Sequence, residues 1–396
     1  MFLLIGLVAG CGGGSSSSSS TASESTTSSE EAGGGETQSA SSSSFVAEAE
    51  KELALDYKGR FTKPPTEAPE HKSGVNMWLI SCGEASQGCS EPIAAAKKAG
   101  EKLGWKVTTF DGNFGEGDAY NNGIRQAISA GAEVIITVGV NCDQAKSGYQ
   151  AAKAANIVVV GADSYDCSDP QVNAGANLMS AETLFTPEFE TAGDTSEERG
   201  RAKADWIIVH TNGEAKVINT DFAALTGGRY ENIGFEEEIK KCTTCEVVKK
   251  IEYTPTDTAN GVLKQAWASA LTQYPEANAG TNTSDGIIIQ DGLAQAVQSA
   301  GRTKTFALVG GEGYAPNVEL IRNENGEDAA TPFDSNWLAW GAVDTAIRIM
   351  AGQEAVPEGM GVQVIDKEHN LPAEGEQYKA PVNYEALYEK AWGVGG

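Results

Sequence analysis

The chain has 396 residues, of which 55 are Asp or Glu and 29 are Lys or Arg, so its formal net charge is −26. This charge argues against nucleic acid and anionic membrane surfaces as partners, because contacts to phosphate need clustered Lys and Arg. The length exceeds what one hydrophobic core usually organises, so we expect two lobes or domains.

The N-terminus is an apolar run that ends in Leu7-Val8-Ala9-Gly10-Cys11, and a tract of almost only Ser and Gly follows it. The run is too short to span a bilayer core of about 30 Å, but it suits the apolar region of a secretory signal. The pattern resembles a bacterial lipoprotein signal, which implies a signal peptide over residues 1–10 and a lipid on Cys11. We expect an extracytoplasmic domain on a flexible tether over residues 11–69, of which residues 12 to about 45 are Ser/Gly-rich linker.

From residue 75 onward, short apolar runs alternate with amphipathic stretches, which is typical of βα units around a parallel sheet. The first lobe is predicted to have strands at 75–81, 106–110, 133–139 and 156–162, and helices near 90–103, 120–128 and 143–155. The alternation pauses over 165–195 and then restarts. The second lobe is predicted to have helices at 196–210, 228–241, 261–274 and 292–300, and strands at 215–220, 246–253, 286–290 and 305–310.

A helix over 333–352 and a strand near 362–366 follow the second lobe. The pattern predicts an α/β fold of two Rossmann-like lobes with parallel central sheets, joined by a hinge of crossover segments. We expect an N-terminal lobe over 70–177 that is completed by 334–360, a C-terminal lobe over 178–333, and a last crossover strand with a tail over 361–396. The hinge is predicted near 173–180, 330–335 and the final strand, with a ligand cleft between the lobes.

Six cysteines remain when Cys11 is set aside, and an oxidising compartment would favour their pairing. They form three pairs that are close in sequence, so we predict three local disulfides. The pairs are Cys82 with Cys89, Cys142 with Cys167, and Cys242 with Cys245.

The segment Cys242-Thr-Thr-Cys245 has a second interpretation, because C-x-x-C is also the spacing of thiol redox sites. It follows a charged predicted helix and precedes a strand, which is the wrong end of a helix for lowering a thiol pKa, so a structural disulfide is favoured. A zinc site is possible on spacing alone, but His71, His210 and His369 are scattered and none lies beside a Cys pair. We expect neither a metal nor a cofactor.

The order of six short motifs makes the chain similar to the type I periplasmic binding proteins, and to their ribose-like sugar-binding members in particular. The motifs are Val75–Ser81, Gly104–Val107, Ile157–Asp163, Arg229–Phe235, Ile289–Asp291 and Leu308–Gly313. The resemblance covers residues 70 to 370. It implies a lipid-anchored, monomeric receptor that captures a sugar or polyol and delivers it to the permease of an ABC importer.

Candidate ligand-binding residues follow the predicted strands, because ligands of open α/β sheets bind beyond the carboxyl ends of the strands. These residues offer carboxylates, amides and a guanidinium, which suit hydroxyl groups that need both donors and acceptors. They are Ser81, Glu84, Gln87, Asn141, Asp163 and Ser164 in the first lobe, and Phe222, Arg229, Gln290, Asp291 and Glu312 in the second. Phe333 and Trp337, where the chain returns to the first lobe, could supply an aromatic wall.

The resemblance places Asp163 at the position of a sugar-binding Asp of the family. Arg229 and Asp291 also match the pattern of the family. Ser164 stands where ribose-like members commonly have Arg, and Glu312 replaces a later Asp of the family.

Each of these residues also has a structural interpretation. Asp163 could cap a turn, Arg229 could pair with neighbouring acids, and Asp291 could cap the helix that starts at Gly292. Trp337 could pack in the core, as we expect of Trp340.

An enzyme is the main alternative class, but its usual motifs are missing. The closest approach to a nucleophile elbow, Glu84-Ala-Ser86-Gln-Gly88, lacks the first Gly of G-x-S-x-G, and neither a phosphate loop nor G-x-G-x-x-G is present. We therefore expect no enzymatic activity. Within the same fold, two alternatives stay open: the ligand could be a nucleoside or an aromatic acid, and the partner could be a membrane sensor.

Overall fold

The computed structural model describes residues 36–254, 257 and 260–394, with side chains from residue 44 onward. The predicted signal peptide, Cys11 and the Ser/Gly-rich start of the tether lie outside the described residues. None of the described helices combines the length and the apolar character that a membrane crossing needs.

In the described part of the chain, eleven strands form two sheets, one in each lobe. The first sheet is parallel throughout, with the order β2-β1-β3-β4-β5, and the second has the order β11-β10-β9-β8-β6-β7. In the second sheet only the last pair, β10 with β11, is antiparallel. The strands are β1 Asn76–Ser81, β2 Lys106–Asp111, β3 Val134–Val138, β4 Val158–Ala162, β5 Ala181–Glu182, β6 Lys216–Asp221, β7 Glu246–Glu252, β8 Ala279–Thr281, β9 Ala307–Gly310, β10 Ala329–Ala330 and β11 Ile365–Asp366.

Helices cover both sheets, as the alternating apolar and amphipathic segments predict. The prediction of an α/β fold with parallel sheets is confirmed. The helices are α1 Glu36–Lys58, α2 Gln87–Lys102, α3 Ala119–Ser129, α4 Cys142–Ala154, α5 Ala192–His210, α6 Thr226–Ile239, α7 Val262–Gln273, α8 Asp285–Gln290, α9 Leu293–Ser299, α10 Ala315–Asn323, α11 Ser335–Met350 and α12 Tyr384–Trp392.

The core of the first lobe takes residues from the C-terminal end of the described chain. Strand β3 is buried along its whole length because all five of its side chains lie beneath helices. Helices α11 and α12 pack on the same core, where the rings of Trp340 and Trp392 stack at 5.4 Å and those of Trp337 and Tyr384 at 5.5 Å. The last helix of the described chain therefore completes the first lobe.

Helix α1 corrects the prediction of a flexible tether over residues 11–69. Its apolar residues Ala49 and Leu53 are buried against α5 in the second-lobe core, and Phe45 lies against Gly213. The sequence of α1 is rich in Ser, Ala and Glu, so its helical tendency is easily missed beside the Ser/Gly tract. Burial on a second element stabilises such a weakly amphipathic helix.

Five described segments pass between the lobes: 59–75, 183–191, 331–334, 351–364 and 367–383. The segment after α1 runs beside the fourth crossing, where Arg60 N donates to Val362 O at 2.8 Å and Thr62 N to Gly359 O at 2.8 Å. The crossing predicted near 173–180 is wrong, because Leu178 N donates to Asp166 within the first lobe. Strand β5 also belongs to the first sheet, although it lies beyond the boundary predicted at residue 177.

The strand predicted over Gly286–Gln290 is also wrong, because this apolar run forms helix α8. A short apolar run does not by itself distinguish a strand from a buried helix. Strand β8, Ala279–Thr281, takes the place in the sheet. Its central Gly280 lies under two rings, and a Cβ atom there would come within 2.6 Å of Trp267 and 2.9 Å of Phe306.

The packing of α1 predicts that two neighbouring leucines differ in their effect on stability. Leu53 is 3% exposed and Leu55 is 37% exposed on the same helix. We expect Leu53→Ala to lower the free energy of unfolding by about 2 to 4 kcal/mol, because it leaves a cavity in the second-lobe core. Leu55→Ala should cost less than about 1 kcal/mol. Equal losses in urea unfolding would show that α1 is not docked.

Asp205, buried on α5, predicts a pH dependence of stability. Burial, reinforced by the carboxylates of Glu238, Asp56 and Glu198, raises the pKa of Asp205 to about 9. The unfolded chain loses this proton near pH 4, so unfolding releases a proton between about pH 4 and 9 and the free energy of unfolding falls as pH rises.

We expect Asp205→Asn to raise the free energy of unfolding at pH 7 by about 1 to 3 kcal/mol and to flatten its pH dependence. The exposed Asp143→Asn is the control variant. Unfolding titrations from pH 5 to 8 measure the difference. Parallel pH profiles for Asp205→Asn and the unaltered protein would contradict the assignment.

Candidate functional site in the interlobe cleft

The two lobes meet at the carboxyl ends of their sheets, and side chains from both lobes bond across the seam. Asn141, which caps α4 in the first lobe, donates from Nδ2 to Thr226 Oγ1 of the second lobe at 2.8 Å. The hydroxyls of Tyr165 and Ser196 lie 3.3 Å apart. These contacts place the strand ends of the first lobe opposite those of the second.

Arg199, on the first half of α5, brings a guanidinium to this seam. It is 7% exposed, donates from Nε to Thr331 O at 3.0 Å, and lies 3.4 Å from Glu231 Oε2. Its Nη2 has no hydrogen-bond partner among the described residues. The carboxylates of Glu231, Glu312 and Asp163 favour the charged form and raise the pKa of Arg199 against the effect of burial. Arg199 is therefore a buried cation with a free donor.

A second polar group surrounds Asn282, which follows β8. Its backbone carbonyl accepts from Lys203 Nζ at 2.6 Å, and Lys203 also binds Glu231 at 2.5 Å. Asn282 Oδ1 accepts from Tyr253 OH at 3.1 Å, while its Nδ2 has no partner among the described residues. This arrangement holds the amide in one orientation and leaves the two N–H donors of Nδ2 free.

Asp163 faces this polar group from the first lobe. Its backbone is left-handed, with φ 47°, a conformation that Asp adopts more readily than most residues. Burial raises the pKa of the Asp163 carboxyl, and both Arg199 and a hydrogen bond from Tyr165 oppose that shift. Because the side chain is only half-buried in the seam, its carboxylate can accept from a ligand.

Glu312, after β9, supplies a further acceptor. One of its carboxylate oxygens accepts from Asp285 N at 2.6 Å. Burial and the neighbouring carboxylate of Asp285 raise the pKa of Glu312, while Arg199 lowers it. Asp285 itself is fully buried and accepts from the backbone N–H groups of Gly311 and Gly313, so it holds the loop that bears Glu312.

Aromatic side chains line two sides of the seam. The ring of Phe222, at the end of β6, stacks on Tyr253 at 4.6 Å. Phe333 lies edge-on to Phe185 at 5.8 Å, and the guanidinium of Arg199 lies 5.4 Å from the centre of its ring. Phe222 and Phe333 are both partly exposed. They can therefore meet an apolar face of a ligand.

The structure places several predicted ligand residues elsewhere. Trp337 is fully buried in the first-lobe core and donates to Glu358 O at 3.1 Å, so the core interpretation is correct and the ligand role is wrong. Gln290 and Asp291 end a helix rather than a strand, and Gln290 is exposed. The residue that follows the strand is Asn282 instead, because β8 lies earlier in the chain than predicted.

Arg229 and Ser164 have structural partners. Arg229 donates to Ala223 O at 2.8 Å and to Gln171 O of the first lobe at 2.9 Å, so it joins the lobes at the rim. The buried Ser164 hydroxyl donates to Thr137 O at 3.1 Å and accepts from Val140 N at 3.0 Å. The guanidinium inside the cleft comes from Arg199 rather than Arg229.

The first loop of the first lobe contributes at the edge of the cleft. Ser81 is buried at the end of β1 and accepts from Gly83 N at 3.2 Å. Glu84 is exposed, and its backbone N–H donates to Asp111 at 3.0 Å. Gln87 is exposed at the start of α2 and binds Glu91 and Gln377. Ligand contact by these three residues stays a prediction.

Several site residues were missed by the sequence analysis, chiefly Arg199, Lys203, Tyr253, Asn282 and Tyr165. Arg199 and Lys203 lie in an acidic segment that resembles an exposed helix, so only packing reveals their burial. One sequence signal was available at Gly310-Gly311. A Cβ atom on Gly311 would lie 2.0 Å from Thr283 O and 3.0 Å from Arg199 Nη2, so glycine permits this close approach.

The three predicted disulfides are present. They join Cys82 to Cys89, Cys142 to Cys167 and Cys242 to Cys245. The first two hold loops at the cleft edge of the first lobe. Asp166 lies beside Cys142 and Cys167 in a group of potential metal ligands, but the two sulfurs are bonded to each other.

Two α/β lobes that meet across a polar seam at the ends of parallel strands define a type I solute-binding fold. The chain belongs to the periplasmic binding protein family, because the family model described as periplasmic binding protein domain matches residues 81–354. A comparison with curated proteins gives no match.

Solved structures share the fold at low sequence identity. A solute binding protein of an ABC transporter from Agrobacterium vitis with bound allitol is 15% identical, with a TM-score of 0.61 over 75% of this chain and 96% of that chain. A glucose-galactose binding protein from Geobacillus stearothermophilus is 19% identical, with a TM-score of 0.62 over 75% and 99%. A solute binding protein from Bacillus halodurans with bound myo-inositol is 15% identical, with 0.61 over 81% and 99%.

We expect removal of the Cys142–Cys167 disulfide to lower stability more than removal of the Cys242–Cys245 disulfide. The two bonds close loops with sequence separations of 25 and 3 residues. From loop entropy we expect removal of the first, by Cys142→Ser with Cys167→Ser, to cost about 3 to 4 kcal/mol of unfolding free energy. Removal of the second should cost about 2 kcal/mol. A larger loss for the Cys242 and Cys245 pair in urea unfolding would contradict this order.

Proposed function

We propose that the protein captures a small uncharged polyhydroxy ligand, a sugar or polyol, in the cleft between its lobes. The observation that carries the proposal is the set of buried polar atoms left without protein partners at the seam, which includes Arg199 Nη2, Asn282 Nδ2 and Thr331 Oγ1. Such groups are costly to bury unless something else bonds to them. A ligand hydroxyl both donates and accepts, so it satisfies these donors and the Asp163 carboxylate together.

The charges of the seam favour an uncharged ligand over an anion. Glu231 already pairs with both Arg199 and Lys203, and the carboxyl groups of Asp163 and Glu312 lie near Arg199. An anion placed there would compete with Glu231 for these cations and would meet further acidic groups. The half-exposed rings of Phe222 and Phe333 suit the C–H face of a sugar.

The solved relatives support this ligand class. Allitol, myo-inositol, glucose and galactose appear in their descriptions, and all of these are polyhydroxy compounds. The proposed mechanism is a hinge motion at the crossing segments, with ligand bridging the lobes and stabilising the closed form. We propose that the closed form then delivers the ligand to the permease of an ABC importer, with the receptor acting as a monomer.

The proposed location is outside the cytoplasm, on the cell membrane, with a lipid on Cys11 after cleavage of residues 1–10. The lipoprotein-like segment around Cys11 and the family assignment support this location, as do the three disulfides. We propose a binding protein rather than an enzyme, without metal or cofactor, because the seam offers hydrogen-bonding groups and, among the described residues, no nucleophile paired with a base.

A thermal-shift screen tests the ligand class with full-length Cys11→Ala protein, which cannot be lipidated. Sugars and polyols are compared with nucleosides and aromatic acids. A ligand present at 100 times its Kd adds about 2.7 kcal/mol of stability, so a true ligand gives a clear shift. Stabilisation by nucleosides or aromatic acids alone would overturn the sugar assignment, and turnover of a tested compound would favour an enzyme.

Two variants then test the site with the best sugar or polyol from the screen. We expect Asp163→Asn and Arg199→Gln each to weaken binding about tenfold to a hundredfold, because each removes charge-assisted hydrogen bonds to the ligand. The control is Arg125→Gln, which alters an exposed arginine on α3, away from the cleft. Isothermal titration calorimetry measures Kd. Unchanged affinity in both cleft variants would remove the pocket assignment.

A further inference from the structure

The fifth crossing contains a segment, which we name the C-terminal strap and define as residues 372–380, that leaves the second lobe along one side of the cleft. At its start, Pro372 O accepts from Arg322 and Gly375 N donates to Glu319 at 3.2 Å, and both partners belong to α10. At its end, Ala380 N donates at 3.1 Å to Asp334, which caps α11. The strap therefore connects the two lobes.

The middle of the strap holds the second-lobe loop that bears Glu312. Tyr378 N donates to Gly313 O at 2.8 Å, one residue beyond Glu312. Tyr378 is 7% exposed, and its hydroxyl donates to Gln363 Oε1 at 3.1 Å in the fourth crossing. Because these bonds are shielded from water, we expect the contact of Tyr378 with this loop to be stronger than the exposed contacts of the strap.

The neighbouring residue binds the first lobe. Gln377 Nε2 donates to Glu91 Oε2 at 2.7 Å, and Gln377 Oε1 accepts from Gln87 Nε2 at 2.9 Å. Gln87 and Glu91 are in the first two turns of α2, which starts at the disulfide-closed loop of the cleft. One amide thus uses both its donor and its acceptor on the same first-lobe helix.

We propose that Gln377 is a latch that holds the cleft closed from the side of the strap. Gln377 binds the first lobe and the adjacent Tyr378 binds the second. A rotation that opens the cleft must therefore break one of the two sets of contacts. The partly exposed contacts of Gln377 break before the buried contacts of Tyr378. The latch biases the closed form before ligand arrives. The inference rests on the proposed function only in that capture requires the lobes to open and close.

Hydrogen exchange of the ligand-free protein tests the latch. We expect Gln377→Ala to speed exchange about tenfold at residues 223–231. This segment bonds to the first lobe through Thr226, Arg229 and Tyr230, and none of these bonds involves the strap. The matched control is Gln298→Ala, which removes one exposed bond to Asn325 O within the second lobe. If Gln377→Ala speeds exchange at residues 372–383 alone, Gln377 orders only the strap, and that result would overturn the proposal.

Swapping the amide of Gln377 and the carboxylate of Glu91 distinguishes the latch from a general loss of stability. Gln377→Glu places a carboxylate against Glu91, so we expect faster exchange at 223–231 than in Gln377→Ala. Combining Gln377→Glu with Glu91→Gln restores one donor and one acceptor, and exchange should return to the rate of the unaltered protein. Failure of this rescue would overturn the latch. Because no ligand is added, the result is independent of whether sugars bind.

Discussion

Arg199 brings a positive charge into the seam between the lobes, where it is almost fully buried and carboxylates of both lobes face it. A buried cation is tolerated only where ion pairs and hydrogen bonds replace water. Glu231 of the second lobe and Thr331 O of the third crossing supply part of this requirement, and Asp163 supplies charge from the first lobe. Arg199 therefore brings charge from one lobe close to the carboxyl group of Asp163 in the other, and its Nη2 has no hydrogen-bond partner among the described residues.

The connections between the lobes run beside this seam and bond to one another. Five segments cross between the lobes, and two of them belong to parts of the chain outside the region matched by the family model, before residue 81 and after residue 354. The first follows α1 and lies along the hinge, and the last carries the C-terminal strap along the cleft. Both run beside the fourth crossing, 351–364, through Val362, Gly359 and Gln363. Both additions therefore bond to the segments that join the lobes.

Local patterns predicted most of the fold but less of the site. Apolar runs such as Val134–Val138 are recognisable because both faces of a central parallel strand are buried, and short sequence separations made the disulfide pairs predictable. Gly286–Gln290 has a similar apolar character, yet Asp285 binds the next loop and the run becomes a helix. The sequence position of Trp337 predicted a ligand contact, but its helix directs the ring into the first-lobe core. Hydrophobic periodicity predicts that a residue is buried, but it does not predict which part of the structure covers that residue.

The sequence by itself determined the α/β class, the two lobes, the pairing of six cysteines and the polar character of the strand ends, because these depend on neighbours in the chain. Only the tertiary structure decided which guanidinium enters the cleft, since Arg229 and Arg199 both lie among acids and differ in what packs over them. It also decided that the end of the expected tether is a docked helix, because α1 is ordered by an apolar surface contributed by residues more than a hundred positions away. Contacts between distant segments are not encoded in local spacing.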